Sequence, residues 1–349
     1  VHMLDLNRIL AIDVGGGTQD IFLYDNSLPT EGCVQLVLPA QTQVVAGRVR
    51  RATAEGRAVF LTGNLMGGGA CASALKRHVK AGLTAYADPR AALTIRDNLD
   101  EVRSRGVQVV DSCPDPAAVR ISTGDVNLPA LQSALAAYDV ALPSTVAIAV
   151  QDHGQCLSGR NRVLRFQMWQ EFVLAGGALR DLLYAEPPLH LTRMLAVQQD
   201  VPGAFLMDTA AAAIWGALCD PQVAAQRERG LFVLNVGNQH ILGALLQGER
   251  IWGLFEHHTV LVDRAKLQGL VESLLTGTLS NEAVLADNGH GAALHPAYRA
   301  WRPETLIAVT GPRRAMVEGL GYTLAAPLGN MMLSGCFGLV SALQRRLAG

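Results

Sequence analysis

Short apolar runs ending in glycine turns alternate along this chain with longer stretches in which apolar residues recur every three or four positions. These are the two periods that separate buried strands from amphipathic helices. Ile9-Leu10-Ala11-Ile12 predicts a buried strand, Gly15-Gly16-Gly17 a turn, and Ile21-Phe22-Leu23-Tyr24 the returning strand of a hairpin. Ala58-Val59-Phe60-Leu61 predicts a further strand. After it, Met66-Gly67-Gly68-Gly69 opens a helix whose apolar stripe is Leu75, Val79 and Leu83. The uniformly apolar Thr145-Val146-Ala147-Ile148-Ala149-Val150 predicts a central strand that delivers Gln151-Asp152-His153-Gly154 to its end. Helical spacing runs over 168–197, broken at Gly176-Gly177 and Pro187-Pro188, and Asp208 reads as the N-cap of an alanine-rich helix. Strand, turn and strand return over 231–246. A helix over 260–275, a strand over 305–309 and a glycine-containing helix over 328–347 complete the pattern.

Two glycine hairpins, one near the start and one past the middle, point to a duplicated fold whose halves clasp a ligand. Successive amides of a glycine turn form an anion-binding nest, and a carboxylate beside it can hold a hydrated Mg²⁺. Asp13, at the end of the first strand, faces such a turn. Glycine turns also arise from turn geometry alone. The loop 66–69 likewise has two readings: an anion site at a helix N-terminus, or a tight strand-to-helix connection.

Asp13-Val14-Gly15-Gly16-Gly17-Thr18 resembles the first phosphate loop of the actin, sugar-kinase and heat-shock-chaperone superfamily, and Asn235-Val236-Gly237-Asn238-Gln239 occupies the place of the second. Thr310-Gly311-Pro312-Arg313 matches its adenosine loop more loosely, while Asp208-Thr209-Ala210-Ala211 and 335–338 fall where its two connecting helices lie. The resemblance implies an α/β protein of two duplicated ribonuclease-H-like, actin-like domains around an interdomain cleft. Residues 1–204 would form the first domain, with an inserted Gly-rich segment. Residues 205–349 would form the second, its last helix returning to the first. ATP and Mg²⁺ are the implied cofactors. Asp13 would organise the metal; Gly15, Gly16, Gly17, Thr18 and Gln19, with Gly237, Asn238 and Gln239, would hold phosphates; Gly311, Pro312 and Arg313 would border adenosine. Asp152 would be the base that activates a hydroxyl or water, unless Asp152 and His153 only cap their strand. Where the superfamily usually carries an aspartate this chain has Asn235, which implies slow turnover.

The whole chain is also similar to a family labelled "putative pyruvate formate-lyase activating enzyme", through 13–21, 66–69, 151–154, Glu256-His257-His258-Thr259 and Gly289-His290-Gly291. Radical activating enzymes hold an iron–sulfur cluster on closely spaced cysteines. Cys33, Cys71, Cys113, Cys156, Cys219 and Cys336 are widely scattered, so the label is not read here as radical chemistry.

Glu256, His257, His258 and His290, with His295 further on, form the densest histidine region. Four of these, with His153, are candidate substrate contacts: Glu256, His257, His258 and His290. The same residues suit a transition metal, a titration near neutral pH, or purely structural polar roles. Adjacent histidines on a strand point to opposite faces, so His257 and His258 are not expected to share one ion. Arg160, Arg162 and Arg165 read as an anion contact or as a solvated face.

With 349 residues, 50% of them hydrophobic and 17% charged, the chain is long enough for two domains with large cores. A net charge of −1 makes no case for nucleic acid or an anionic membrane as partner. No apolar run approaches the roughly 18 residues of a membrane span, and no signal peptide is recognisable. Val1 and His2, ahead of Met3, are set aside. The expectation is a cytoplasmic, ATP-binding protein that phosphorylates a small molecule or hydrolyses ATP as its domains close. The alternatives are a nucleotide-gated activator of a partner enzyme with little turnover, and a degenerate scaffold that binds another ligand through its histidine region.

Overall fold

The computed structural model describes residues 4–157, 159–300 and 305–348; Val1 and His2 lie outside them. Strands β1 (Arg8–Val14), β2 (Thr18–Asp25) and β3 (Val34–Pro39) form an antiparallel meander. The chain then leaves this sheet and builds another from β4 (Val59–Gly63), β5 (Ala85–Ala87), β6 (Val107–Val109) and β7 (Val119–Thr123), all parallel, in the order β6-β5-β4-β7. This inserted unit has its own core around Val45, Val49, Leu61, Leu75, Val102 and Ile121. Strand β8 (Thr145–Val150) returns to lie parallel beside β1, and β9 (Leu183–Tyr184) and β10 (Phe205–Met207) complete the first sheet as β3-β2-β1-β8-β10-β9. Every residue of β8 is buried. A central parallel strand is covered on both faces, which is why it reads as a continuous apolar run.

The second half repeats this plan. Strands β11 (Leu231–Val236), β12 (His240–Gln247), β13 (Arg250–His258) and β14 (Gly291–Leu294) run antiparallel, and β15 (Ile307–Thr310) and β16 (Thr323–Leu324) lie parallel to β11, giving β14-β13-β12-β11-β15-β16. In each sheet an antiparallel three-strand meander is extended, on the far side of its first member, by two parallel strands, β8 and β10 in one and β15 and β16 in the other, with β9 added antiparallel to β10 in the first. That shared order is the duplicated ribonuclease-H-like plan. The hairpin registers also agree: Val14 pairs with Gln19 in one half, and Val236 with Ile241 in the other.

Two helices join the halves. Thr209–Ala217 starts at Asp208, whose carboxylate accepts from the Ala210 amide at 2.9 Å, an N-cap that meets one of the helix's free donors. It packs along Ser334–Ala348, which also lies on β1, β2 and β8 and so carries the C-terminus back to the first sheet. A Cβ on Gly216 would strike the Ser334 carbonyl, and one on Gly338 would strike the Ala212 carbonyl. The pair is therefore as close as glycine permits.

Three expectations change. The helical pattern over 168–197 resolves into Asn161–Leu174 and Thr192–Asp200, separated by the glycine and proline pairs. The last helix begins at Ser334 rather than 328, because 327–333 is spent in two short 3₁₀ turns with Leu328 at φ 49°. The boundary at 204/205 falls just ahead of β10, a three-residue strand paired with β8 in the first sheet. Among the described residues no helix is long and apolar enough to cross a membrane.

Candidate functional site

A cavity of about 450 Å³ opens between the halves, and both glycine hairpins face it. In the first, Gly15 N–H donates to the Thr18 carbonyl at 2.8 Å; in the second, Gly237 N–H donates to the His240 carbonyl at 2.9 Å. The turns have the same closure, and Thr18 and His240 occupy equivalent places. Among the described residues no backbone or side-chain acceptor meets the amides of Gly16, Gly17, Asn238 or Gln239, so each turn keeps two donors for a ligand. The loops also touch. The Gln239 amide fills the space a Cβ on Gly16 would take, and its Nε2 would lie 3.4 Å from a Cβ on Gly69. Met66, Gly67, Gly68 and Gly69 of the inserted unit thus line the cavity with both turns, as do Gly311 and Pro312.

Asp13 lies at the floor, under Gly335 at the N-terminal end of Ser334–Ala348. Strand pairing sets Asp20 directly opposite it. One carboxylate oxygen of each, Oδ1, is buried without a hydrogen-bond partner. Burial, then the charges of Asp20 and Asp208, push Asp13 well above the usual carboxylate range; burial pushes Asp20 up to about 7. Buried oxygens left without partners are costly and uncommon. Two of them at the foot of an amide nest suit a divalent cation such as Mg²⁺, a hard ion that takes oxygen ligands.

Several expected roles are corrected. Asp152 lines the cavity, but Oδ1 accepts from the Gly154 amide at 2.8 Å and Oδ2 from the Met194 amide at 2.9 Å. Its carboxylate fixes a turn and the start of Thr192–Asp200, as in the capping alternative, while burial raises it above the usual carboxylate range. The Gln19 side chain turns from the cavity and donates to the Pro39 carbonyl at 3.2 Å, because alternation along β2 sends Thr18 and Asp20 inward instead. Arg313 is exposed and does not line the cavity; its amide donates to the Val236 carbonyl at 3.0 Å. His257 faces the other side of β13, 3.1 Å from Asp287, and His295 packs on Trp252.

Arg165 belongs neither to a solvated face nor to an open anion site. Its guanidinium forks onto Asp208 at 2.7 and 3.0 Å, reaches Glu256 at 2.8 and 2.9 Å, and donates to the Asp152 carbonyl at 2.7 Å. Gln151 Nε2 donates to the other Glu256 oxygen at 2.6 Å. Burial would raise Glu256, yet Arg165 and the neighbouring histidines hold it well below the usual range. A second fork, Arg193 on Asp125 at 2.7 Å through both nitrogens, ties the inserted unit to the end of β8, since Arg193 also donates to the Gln151 carbonyl at 2.8 Å.

Beside Glu256 four imidazoles converge. Ring centroids lie 4.5 Å apart for His258 and His290, 4.6 Å for His240 and His290, 5.2 Å for His240 and His258, and 5.3 Å for His153 and His290. Burial holds His240 and His258 down at about 4, and His153 also well below its ordinary value, so at neutral pH these rings are uncharged. The sequence reading had His153, Glu256, His258 and His290 but not His240. The signal lay in hairpin register, which sets His240 against His258.

A family model described as "Putative pyruvate format-lyase activating enzyme (DUF1786)" matches residues 66–316. No curated protein matches the chain in sequence. Similar solved structures include a ROK hexokinase from Thermus thermophilus, 13% identical over 98% of this chain and 100% of that one, with a TM-score of 0.31. A putative N-acetylmannosamine kinase from Listeria monocytogenes is 12% identical over 97% and 99%, with a TM-score of 0.35. The ethanolamine utilization protein EutJ from Carboxydothermus hydrogenoformans is 10% identical over 95% and 88%, with a TM-score of 0.30. Likenesses this distant carry no argument about chemistry; the fold rests on the strand order of the two sheets.

Proposed function

The chain belongs to the family described as "Putative pyruvate format-lyase activating enzyme", and for it we propose an ATP-binding protein whose two halves close on nucleotide and Mg²⁺, with phosphoryl turnover slow or absent. The observation that carries this reading is the pair of matched glycine turns, each with two unengaged amides, facing one cavity above the partnerless oxygens of Asp13 and Asp20. Amide nests and a helix N-terminus recognise phosphate oxygens. Mg²⁺ held at Asp13 and Asp20 would neutralise phosphate charge there. Gly311 and Pro312 border the cavity where adenosine would lie. Low turnover follows from two side chains: Asn235 stands where a second carboxylate would help organise water, and Asp152 is held by two amides. A nucleotide-gated partner of another enzyme fits this chemistry better than a fast kinase. A second reading, phosphoryl transfer to a small hydroxyl compound, is favoured by Asp20, a cavity-lining carboxylate that burial raises to about 7; in this reading Mg²⁺ rests on Asp13 and leaves Asp20 free to take a proton.

Calorimetric titration with ATP, with and without Mg²⁺, tests the proposal. Binding that strengthens with Mg²⁺ and loses that gain in Asp13→Asn is expected, and absence of binding in both conditions removes it. Phosphate release then separates the two readings. Asp152→Ala is expected to leave the rate unchanged; release at background level fits the gated partner, whereas release that rises when a hydroxyl acceptor is added fits transfer.

A further inference from the structure

The histidine cluster is not used by the nucleotide reading, and its hydrogen bonding is unusual. Buried polar groups are nearly always paired. Among the described residues the partly buried rings of His153, His240 and His258 have no protein hydrogen bond, and of the cluster only His290 Nδ1 is both buried and unpartnered. The side chain of His290 is only 4% exposed; its Nδ1 lies 2.8 Å from Glu256 Oε1, but off the line a hydrogen bond needs. One ring nitrogen from each of His240, His258 and His290 lies within 4.8 Å of the others, and His153, Glu256 and His290 form a second such group.

We propose that His240, His258 and His290 form a three-imidazole site for one divalent transition metal of the zinc class, oriented by Glu256 and open towards His153 and the cleft. Imidazoles sharing a tetrahedral ion at about 2.1 Å have nitrogens roughly 3.4 Å apart, so the three rings, whose nitrogens lie within 4.8 Å of one another, would have to turn inward to close on one ion. The placement has a reason in the fold. His240 begins β12 and His258 ends β13, directly opposite in register, while His290 precedes β14 and hydrogen-bonds through its amide to the Glu256 carbonyl at 2.9 Å. Three neighbouring strands of one sheet thus present their imidazoles at one end, on a rigid frame. Glu256 is itself fixed by Arg165 and Gln151. With Glu256 Oε1 2.8 Å from His290 Nδ1, the ring rotation that ligation requires would also bring the two into line, so that the carboxylate sets the tautomer and aims Nε2 at the metal. Three protein ligands with an open fourth position are the arrangement of a metal that meets a substrate or water rather than one sealed for structure. The open side carries His153, from the end of β8 in the other half.

Chelator-stripped protein is titrated with Co²⁺ alone, without nucleotide, and followed by visible absorption. One saturable equivalent per chain is expected, with the intense bands of low-coordinate nitrogen ligation. The double variant His258→Ala/His290→Ala is expected to weaken binding by more than roughly 100-fold, beyond what loss of an outer partner costs, and His295→Ala, outside the cluster, to leave it unchanged. Because His290 is buried, His258→Gln repeats the test at a partly exposed position with folding followed by circular dichroism; at least a roughly tenfold loss with an unchanged spectrum supports the site. No saturable binding by the unmodified chain, or full binding by folded His258→Gln, overturns it.

Discussion

Asp20 shows how much a single side chain's neighbours decide. Burial raises its folded-state value from 3.8 to about 7, so the folded chain holds a proton there that the unfolded chain gives up. The stability this contributes is complete below about 3.8 and is lost as pH rises through about 7. Asp20→Asn is therefore expected to raise the melting temperature at pH 8 and to leave it nearly unchanged at pH 4, a difference that calorimetric scans at the two pH values would measure. Mg²⁺ should narrow the gap at pH 8 if it binds this carboxylate. Asp13 was legible because it ends a strand at a glycine turn. Asp20 and His240 were not, although both follow from counting across their hairpins. Register assigns a facing residue only once the turn's closure is known, and neither Gly15-Gly16-Gly17 nor Gly237-Asn238-Gln239 fixes that closure from sequence.

Among elements, the helix pair at the centre gives the sharpest test. Alanine in a helix is favoured over glycine by about 1 kcal/mol, so Gly338→Ala would stabilise an isolated helix. Here the added methyl meets the Ala212 carbonyl, and overpacking of this kind costs about 1–3 kcal/mol. Destabilisation is expected in denaturant titrations. Gly269→Ala, in the helix Arg264–Thr276 with open space around it, is expected to stabilise by about 0.5–1 kcal/mol. Strands and their order of appearance were readable because 146–150 of β8 and 231–234 of β11 are unbroken apolar runs. The inserted parallel sheet was not, since β5 and β6 have three residues each, too few for a period to show. Asp152 kept two readings for a related reason: a carboxylate just past a central strand looks the same in sequence whether it serves chemistry or caps the next helix.

At the scale of the molecule, the halves are held by buried charge. Arg165, in a helix packed against β14, neutralises Asp208 at the root of one connecting helix and Glu256 in the second sheet. Removing one partner of such a network typically costs about 3–5 kcal/mol, because the others stay buried and unpaired. Arg165→Leu is expected to lose that much in urea unfolding, and Arg165→Lys to recover little, since an ammonium cannot fork onto two carboxylates. The duplicated turns have a further consequence. The equivalent places that hold Asp13 and Thr18 in one half hold Asn235 and His240 in the other, so the pseudo-twofold relation of the backbone is broken in ligand hardness. One wall of the cleft offers carboxylates, Asp13 and Asp20, and the other the neutral amide of Asn235 and the imidazole of His240. If both proposed sites fill, a hard cation and a borderline one would lie on opposite walls of the same cavity without competing, and a phosphate-bearing molecule between them would meet a different metal on each side.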